Sequence, residues 1–185
     1  MKTPLRTLLA AVAAAAAFPA AAQEVTLKFH HIWNPQAMAS VQAIGPWCDK
    51  IAQESAGKMK CQILPAMSGG GTPPQLFDQA KDGVADIVWT LPTYQAGRFT
   101  KAEVFELPFM TNSAEAGARA SWDYISKHSL KEFPGTKLLA TWIHDEGYVH
   151  TNGKPGKTLA DFKGLKMRAP TRQTNKLLAS LGASP

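Results

Sequence analysis

Five segments between residues 25 and 90 alternate between strand and helix periodicity, and that alternation narrows the fold more than any other feature of the chain. Val25–His31 reads as a strand. Val41, Ile44, Cys48 and Ile51 then recur at helical spacing, which predicts a helix over residues 40–55, kinked at Pro46 and ended by Gly57. Residues 58–64 alternate polar with apolar side chains, as a half-buried strand does. Thr72 can cap the next helix and Pro73-Pro74 suit its first turn, with Leu76, Phe77 and Ala80 directed inward and a stop at Gly83. Residues 85–90 form a short apolar strand of the kind buried on both faces. Strand–helix–strand order of this type implies an α/β fold with a mostly parallel sheet covered by helices.

Further along, Asn112 and Glu115 are spaced as a capping box for a helix reaching His128. Residues 137–143 and 146–151 read as strands. Thr158 and Asp161 start a short turn before Gly164, and residues 165–168 form a last strand before a helix over 174–181. Leu181 to Pro185 lies just past a helix stop, where another strand is expected, so the sequence reads as the opening part of a longer chain. On that reading the first-lobe core of Ile51, Ile63, Leu76, Phe77, Ile87 and Val88 is the part expected to be native-like on its own. Residues 171–185 are then loosely held, and residues 23–185 alone fold poorly or bind weakly.

The N-terminus has the three parts of a secretory signal peptide. Lys2 and Arg6 are its basic region, Leu8 to Phe18 an apolar run, and Ala20-Ala21-Ala22 a small-residue cleavage site. The run is shorter than the ~20 apolar residues a membrane span requires. Export to the periplasm is therefore expected, with the mature chain starting near Gln23. Removing residues 1–22 takes Lys2 and Arg6 from the 20 basic residues, leaving 18 against 14 acidic ones, a net charge of +4. This excess is dispersed, without a basic block or a nucleic-acid motif, which argues against nucleic acid as a partner. Cys48 and Cys61 are the only cysteines, and an oxidising compartment favours a structural disulfide over two buried thiols.

Arg168 ends the predicted strand just before Pro170 and a new helix. There it faces the crevice where open α/β sheets bind ligands, and its guanidinium can hold a carboxylate through two parallel hydrogen bonds. His31 and Trp33 lie at the end of the first strand, Trp89 closes the third, and Tyr94 sits in the following loop; the aromatics there offer flat apolar walls for a ligand's body. The glycine loop Ser68-Gly69-Gly70-Gly71-Thr72 lacks the Gly-Lys-Ser/Thr ending of a P-loop and reads as a flexible turn. His144, Glu146, Tyr148 and His150 alternate on one predicted strand. Gly147 disturbs that parity, which favours polar residues lining a cleft over a zinc site. No Gly-x-Ser-x-Gly elbow or other nucleophile motif is present. Arg98 is explained by an ion pair with Glu103 or Glu106. The rival to a binding protein is a periplasmic hydrolase or metalloenzyme acting on small organic acids.

Three stretches carry a family resemblance: Lys81-Asp82-Gly83-Val84-Ala85-Asp86-Ile87, Phe105-Glu106-Leu107-Pro108-Phe109, and Asp161-Phe162-Lys163-Gly164-Leu165-Lys166-Met167-Arg168-Ala169-Pro170. With these the chain resembles the DctP-type solute-binding proteins of TRAP transporters. The resemblance implies a two-lobed, periplasmic-binding-protein-like fold of type II character, truncated here in the second lobe. The first lobe spans residues 23–145, and the crossover and start of the second span 146–185. It further implies a receptor without cofactor, metal or catalytic residues, which captures an organic acid and delivers it to membrane permease subunits. The family's carboxylate-binding Arg falls on Arg168. Trp89, residues 90–92 and the polar turn at Thr72 fall where members line the cleft. Many members carry a second Arg in the preceding strand. This chain has Gly147-Tyr148-Val149-His150 there, with Tyr148 or His150 as neutral donors. That departure favours a monocarboxylate with an apolar or aromatic body over a dicarboxylate.

Overall fold

A computed structural model of the protein describes residues 24–153 and 156–185; the signal peptide read over residues 1–22 lies outside them. β1 (Val25–His31) is the central strand of a three-stranded parallel sheet, flanked by β2 (Met59–Leu64) and β3 (Ile87–Trp89) in the order β2-β1-β3. Its register places Leu27 beside Cys61 and Phe29 beside both Ile63 and Ile87. The start of β1 is exposed, whereas Phe29, His30 and His31 are buried, so the sheet becomes dry toward its carboxyl end. Asp86 fixes the start of β3 by accepting the Lys28 main-chain N–H at 2.8 Å and donating its own N–H to the Lys28 carbonyl at 3.1 Å.

Successive side chains of β1 serve opposite layers, as strand geometry requires. On one face Phe29 packs with Ile44 and Cys48 of the first helical segment. That segment is not the single kinked helix expected. Residues Ala39–Ile44 form a π-helix that passes directly into α1 (Gly45–Glu54). Pro46 has no N–H and its ring would crowd the carbonyl four residues earlier; widening the preceding turn, with Gly45 N–H bonding the Ser40 carbonyl, removes the conflict. Cys48 of α1 and Cys61 of β2 are joined by a disulfide that ties helix to strand.

On the other face His30 Nδ1 meets Gln79 Oε1 at 2.6 Å. Gln79 belongs to α2 (Leu76–Lys81), which a short 3₁₀ turn at Pro73–Gln75 precedes. Beyond α2 lies an aromatic core in which Phe99, with no exposed surface, contacts Phe77 and Phe133 at ring-centroid distances of 4.9 and 5.0 Å. Of the core expected from sequence, Leu76 and Phe77 are buried, Ile51, Ile87 and Val88 are half-buried, and Ile63 is exposed.

α3 (Ala114–His128) is capped by Ser113, whose hydroxyl accepts the Ala116 N–H at 3.1 Å, one residue after the expected Asn112. Residues 137–143 and 146–151 are not strands: neither pairs in a ladder among the described residues. The first runs along α3 and is held by side chains. Thr141 and Ser121 hydroxyls lie 3.0 Å apart, Leu138 packs on the aromatic core, and Ile143 approaches Gly117. The strand expected over residues 165–168 reduces to one parallel bridge between Lys166 and Ser184. Before it, Asp161 accepts the Thr158 N–H at 2.8 Å, and those bonds hold its carboxyl below the usual carboxylate range. α4 (Arg172–Ser180) starts at Thr171, which is buried, and the 171–185 segment is docked rather than loose. Ser184 N–H bonds the Leu165 carbonyl at 2.7 Å, and Arg172 forms an ion pair with buried Glu103.

Candidate functional site

Parallel strands present their carboxyl ends on one side, and here that side carries a row of indoles. Trp33, two residues past β1, lies 4.6 Å from Trp89, the last residue of β3. Trp89 in turn stacks on Trp142 at 5.2 Å with the planes 22° apart. His31 is paired in register with Trp89 and has no exposed surface. Trp142 is 50 % exposed, so the row runs from the interior out to solvent. Sequence reasoning missed Trp142, although it lies one residue from the end of the strand expected over 137–143, and nearness to a strand end is the signal that marked Trp33 and Trp89.

The two histidines have distinct settings. His30 Nε2 accepts the Gly69 N–H at 3.3 Å, and Gln79 Nε2 donates to the Gly70 carbonyl at 3.0 Å, so the glycine loop is pinned rather than flexible. A side chain at Gly69 would press against His30 Cε1 at 3.0 Å. His31 Nδ1 accepts the Trp33 N–H at 3.2 Å, and burial, then the neighbouring His30, pushes its pKa below the ordinary imidazole value. His31 Nε2, Trp33 Nε1 and Glu106 Oε2 are buried without a hydrogen-bond partner among the described residues.

Thr72 is exposed and opens the 3₁₀ turn, where Gln75 Oε1 accepts its N–H at 2.7 Å and its hydroxyl at 3.0 Å. Tyr94 is half-buried in the 3₁₀ turn Pro92–Tyr94 that follows β3. Arg168 is exposed, three residues before the cap of α4, and has no hydrogen-bond or ion-pair partner among the described residues. Tyr148 (75 % exposed) and His150 lie in the irregular stretch, where strand alternation does not align them with His144 and Glu146. Among the described residues no three His, Cys, Asp or Glu side chains group as a metal site. Shallow hollows of about 330 and 300 Å³ lie elsewhere, beside Phe109 and Gly117 and beside Glu103 and Arg172.

The arginine and glutamate pairings differ from expectation. Arg98 donates to Asp78 Oδ1 at 2.7 Å while its guanidinium covers the Phe77 ring at 4.4 Å, and its hydrogen bond, with that from Gln95, holds the Asp78 carboxyl down. Glu103 instead takes Arg172, Gln173 and the Gly97 N–H, and Glu106 accepts the Thr93 hydroxyl. Side chains from distant segments decide these partners, and no local pattern announces them.

The profile of the family described as bacterial extracellular solute-binding protein, family 7 (DctP), matches residues 29–185. The outer membrane transporter protein TsaT of Comamonas testosteroni is 26 % identical over 181 residues, covering 97 % of this chain and 53 % of that one. A TRAP solute-binding protein from Rhodoferax ferrireducens, crystallised with copurified benzoate, is 53 % identical with a TM-score of 0.84, over 87 % of this chain and 50 % of that one. A marine-metagenome TRAP solute-binding protein specific for aromatic acid ligands, in complex with 3-hydroxybenzoate, is 46 % identical with a TM-score of 0.84, over 88 % and 51 %. The chain spans about half the length of each of these proteins.

Proposed function

Because the chain belongs to the family 7 (DctP) bacterial extracellular solute-binding proteins, we propose that it is the periplasmic receptor of a TRAP transporter, capturing an aromatic monocarboxylate and delivering it to membrane permease subunits. The observation that carries this reading is the indole row Trp33–Trp89–Trp142 at the carboxyl ends of the parallel strands. Flat aromatic faces contribute large contact area at small entropic cost, and they favour a planar ligand body. The benzoate and 3-hydroxybenzoate bound by the two similar proteins are ligands of that type. Arg168 supplies the charged end. It has no hydrogen-bond or ion-pair partner among the described residues, and its guanidinium matches a carboxylate in a planar two-bonded fork. In this reading Thr72, Tyr94, Tyr148 and His150 offer polar contacts to the ligand, and Tyr148 and His150 stand where many family members carry a second Arg, which favours one carboxylate over two. Residues 1–22 direct export, residues 23–145 form the first lobe, and residues 146–185 cross to the second. Relatives that bind solutes, together with the lack of a metal-holding side-chain group among the described residues, weigh against the hydrolase and metalloenzyme alternatives.

Calorimetric titration with benzoate tests the reading. The protein at its natural full length should bind saturably without turnover, and Arg168→Ala should weaken binding by more than about thirtyfold through loss of a partly buried charge pair. Wild-type affinity in the Ala variant removes Arg168 from the site. Conversion of the acid to product rejects the receptor reading itself.

A further inference from the structure

The receptor reading underlies the inference drawn next, which assigns a second polar contact in the same crevice. Two hydrogen-bond donors at the end of β1 have no acceptor among the described residues. His31 is fully buried, and the Trp33 main-chain N–H occupies its Nδ1 at 3.2 Å, so the neutral ring carries its proton on Nε2. Burial holds that ring neutral near pH 7. Nε2–H is buried without a partner, and so is Nε1–H of Trp33, a group that can only donate. Native structures rarely leave buried donors unmade, and those that persist call for a water, an ion or a ligand. Both belong to one three-residue segment, and both residues adjoin Trp89, His31 by register and Trp33 by ring contact.

We propose that Nε2–H of His31 and Nε1–H of Trp33 form a donor-only subsite that receives an oxygen substituent on the ring of the bound acid. The receptor is thereby selective for hydroxylated over unsubstituted or methylated aromatic acids. A ring hydroxyl fits better than the carboxylate itself. Neutral donors offset the modest cost of drying a hydroxyl, whereas a carboxylate stripped of water demands a charged partner, which Arg168 supplies.

The test titrates the protein at its natural full length with benzoate, 3-methylbenzoate, 3-hydroxybenzoate and 4-hydroxybenzoate. Wild type should bind the better hydroxybenzoate about tenfold more tightly than 3-methylbenzoate. His31→Phe and Trp33→Phe should each reduce that ratio to under about twofold, the ratio being read separately from any common loss of affinity for all the acids. His31→Gln, which keeps an N–H, should retain part of the preference. A ratio unchanged in both Phe variants overturns the proposal and leaves the donors to a buried water. Equal weakening of all four acids overturns it in favour of a carboxylate contact. Thermal unfolding of each variant reports folding, and Trp33→Phe decides the matter if His31→Phe does not fold. Failure of wild type to bind any of the four acids rejects the receptor reading and this subsite with it, whereas benzoate binding without a hydroxyl preference rejects the subsite alone.

Discussion

Replacing Glu103 by Ala removes the acceptor for three donors at once: the Gly97 N–H at 3.0 Å, Gln173 Nε2 at 3.3 Å and the Arg172 guanidinium. The carboxylate side chain is 4 % exposed, but that of Arg172 is 42 % exposed and regains water, so the ion pair itself contributes under about 1 kcal/mol. The larger share is the charge-assisted bond to Gly97, about 1.5–3 kcal/mol. The expected loss is about 2–3 kcal/mol, seen in urea titration as a lower midpoint at unchanged slope. Glu103→Gln keeps an acceptor of the same shape and should lose only about 1 kcal/mol. Acidity supplies a second readout. Burial pushes the Glu103 carboxyl up, but the Gly97 N–H and then Arg172 more than offset this, leaving its folded pKa below the ordinary value. Its stabilisation is therefore fully present above the unfolded value of ~4.3 and lost as pH falls through the lower folded pKa. Wild type should weaken across that window, and the Gln variant should lack this component. An Ala variant within about 0.5 kcal/mol of wild type, with the same acid profile, refutes the account of α4 docking.

Gly117→Ala places a methyl 2.9 Å from Thr111 Cγ2 and 3.2 Å from Ile143 Cβ, and should destabilise by about 1–3 kcal/mol despite the better helix propensity of Ala; a higher melting temperature would show that residues 137–143 move aside freely. Replacing both Cys48 and Cys61 by Ser opens a link between positions 13 apart and should cost about 3 kcal/mol in denaturant titration, with reductant then without further effect. Trp142→Ala should weaken benzoate binding about three- to tenfold and diminish the near-ultraviolet dichroism of the stacked indoles; unchanged binding would leave Trp142 outside the ligand wall.

The parts of this fold that local chemistry dictates were readable in advance. β1 occupies Val25–His31, as its composition indicates, and the proline and glycine signals around α2 mark its ends. Trp33 and Trp89 come together because strand ends in a parallel sheet share one side. What escaped depends on contacts between distant segments. Residues 137–143 have strand-like alternation, but a strand exists only with a ladder partner, and here side chains alone fix the segment against α3. Arg98 found Asp78 rather than Glu103 because α2 lies under it, a proximity that only the assembled fold creates. The π-helical turn arises from a clash that sequence locates at Pro46 without saying how the backbone relieves it.

β1 lies between two partners that the chain delivers at different times. β2 begins at Met59 and carries one end of the disulfide, whereas β3 begins only at Ile87. A polypeptide made amino end first can close the β1–β2 side while the other edge of β1 is still bare. Such an edge is adhesive, and its neighbours in that interval are other nascent chains or chaperones. His31 pairs with Trp89 at the very end of β3, so this last rung of the sheet forms only when the third strand has zipped shut.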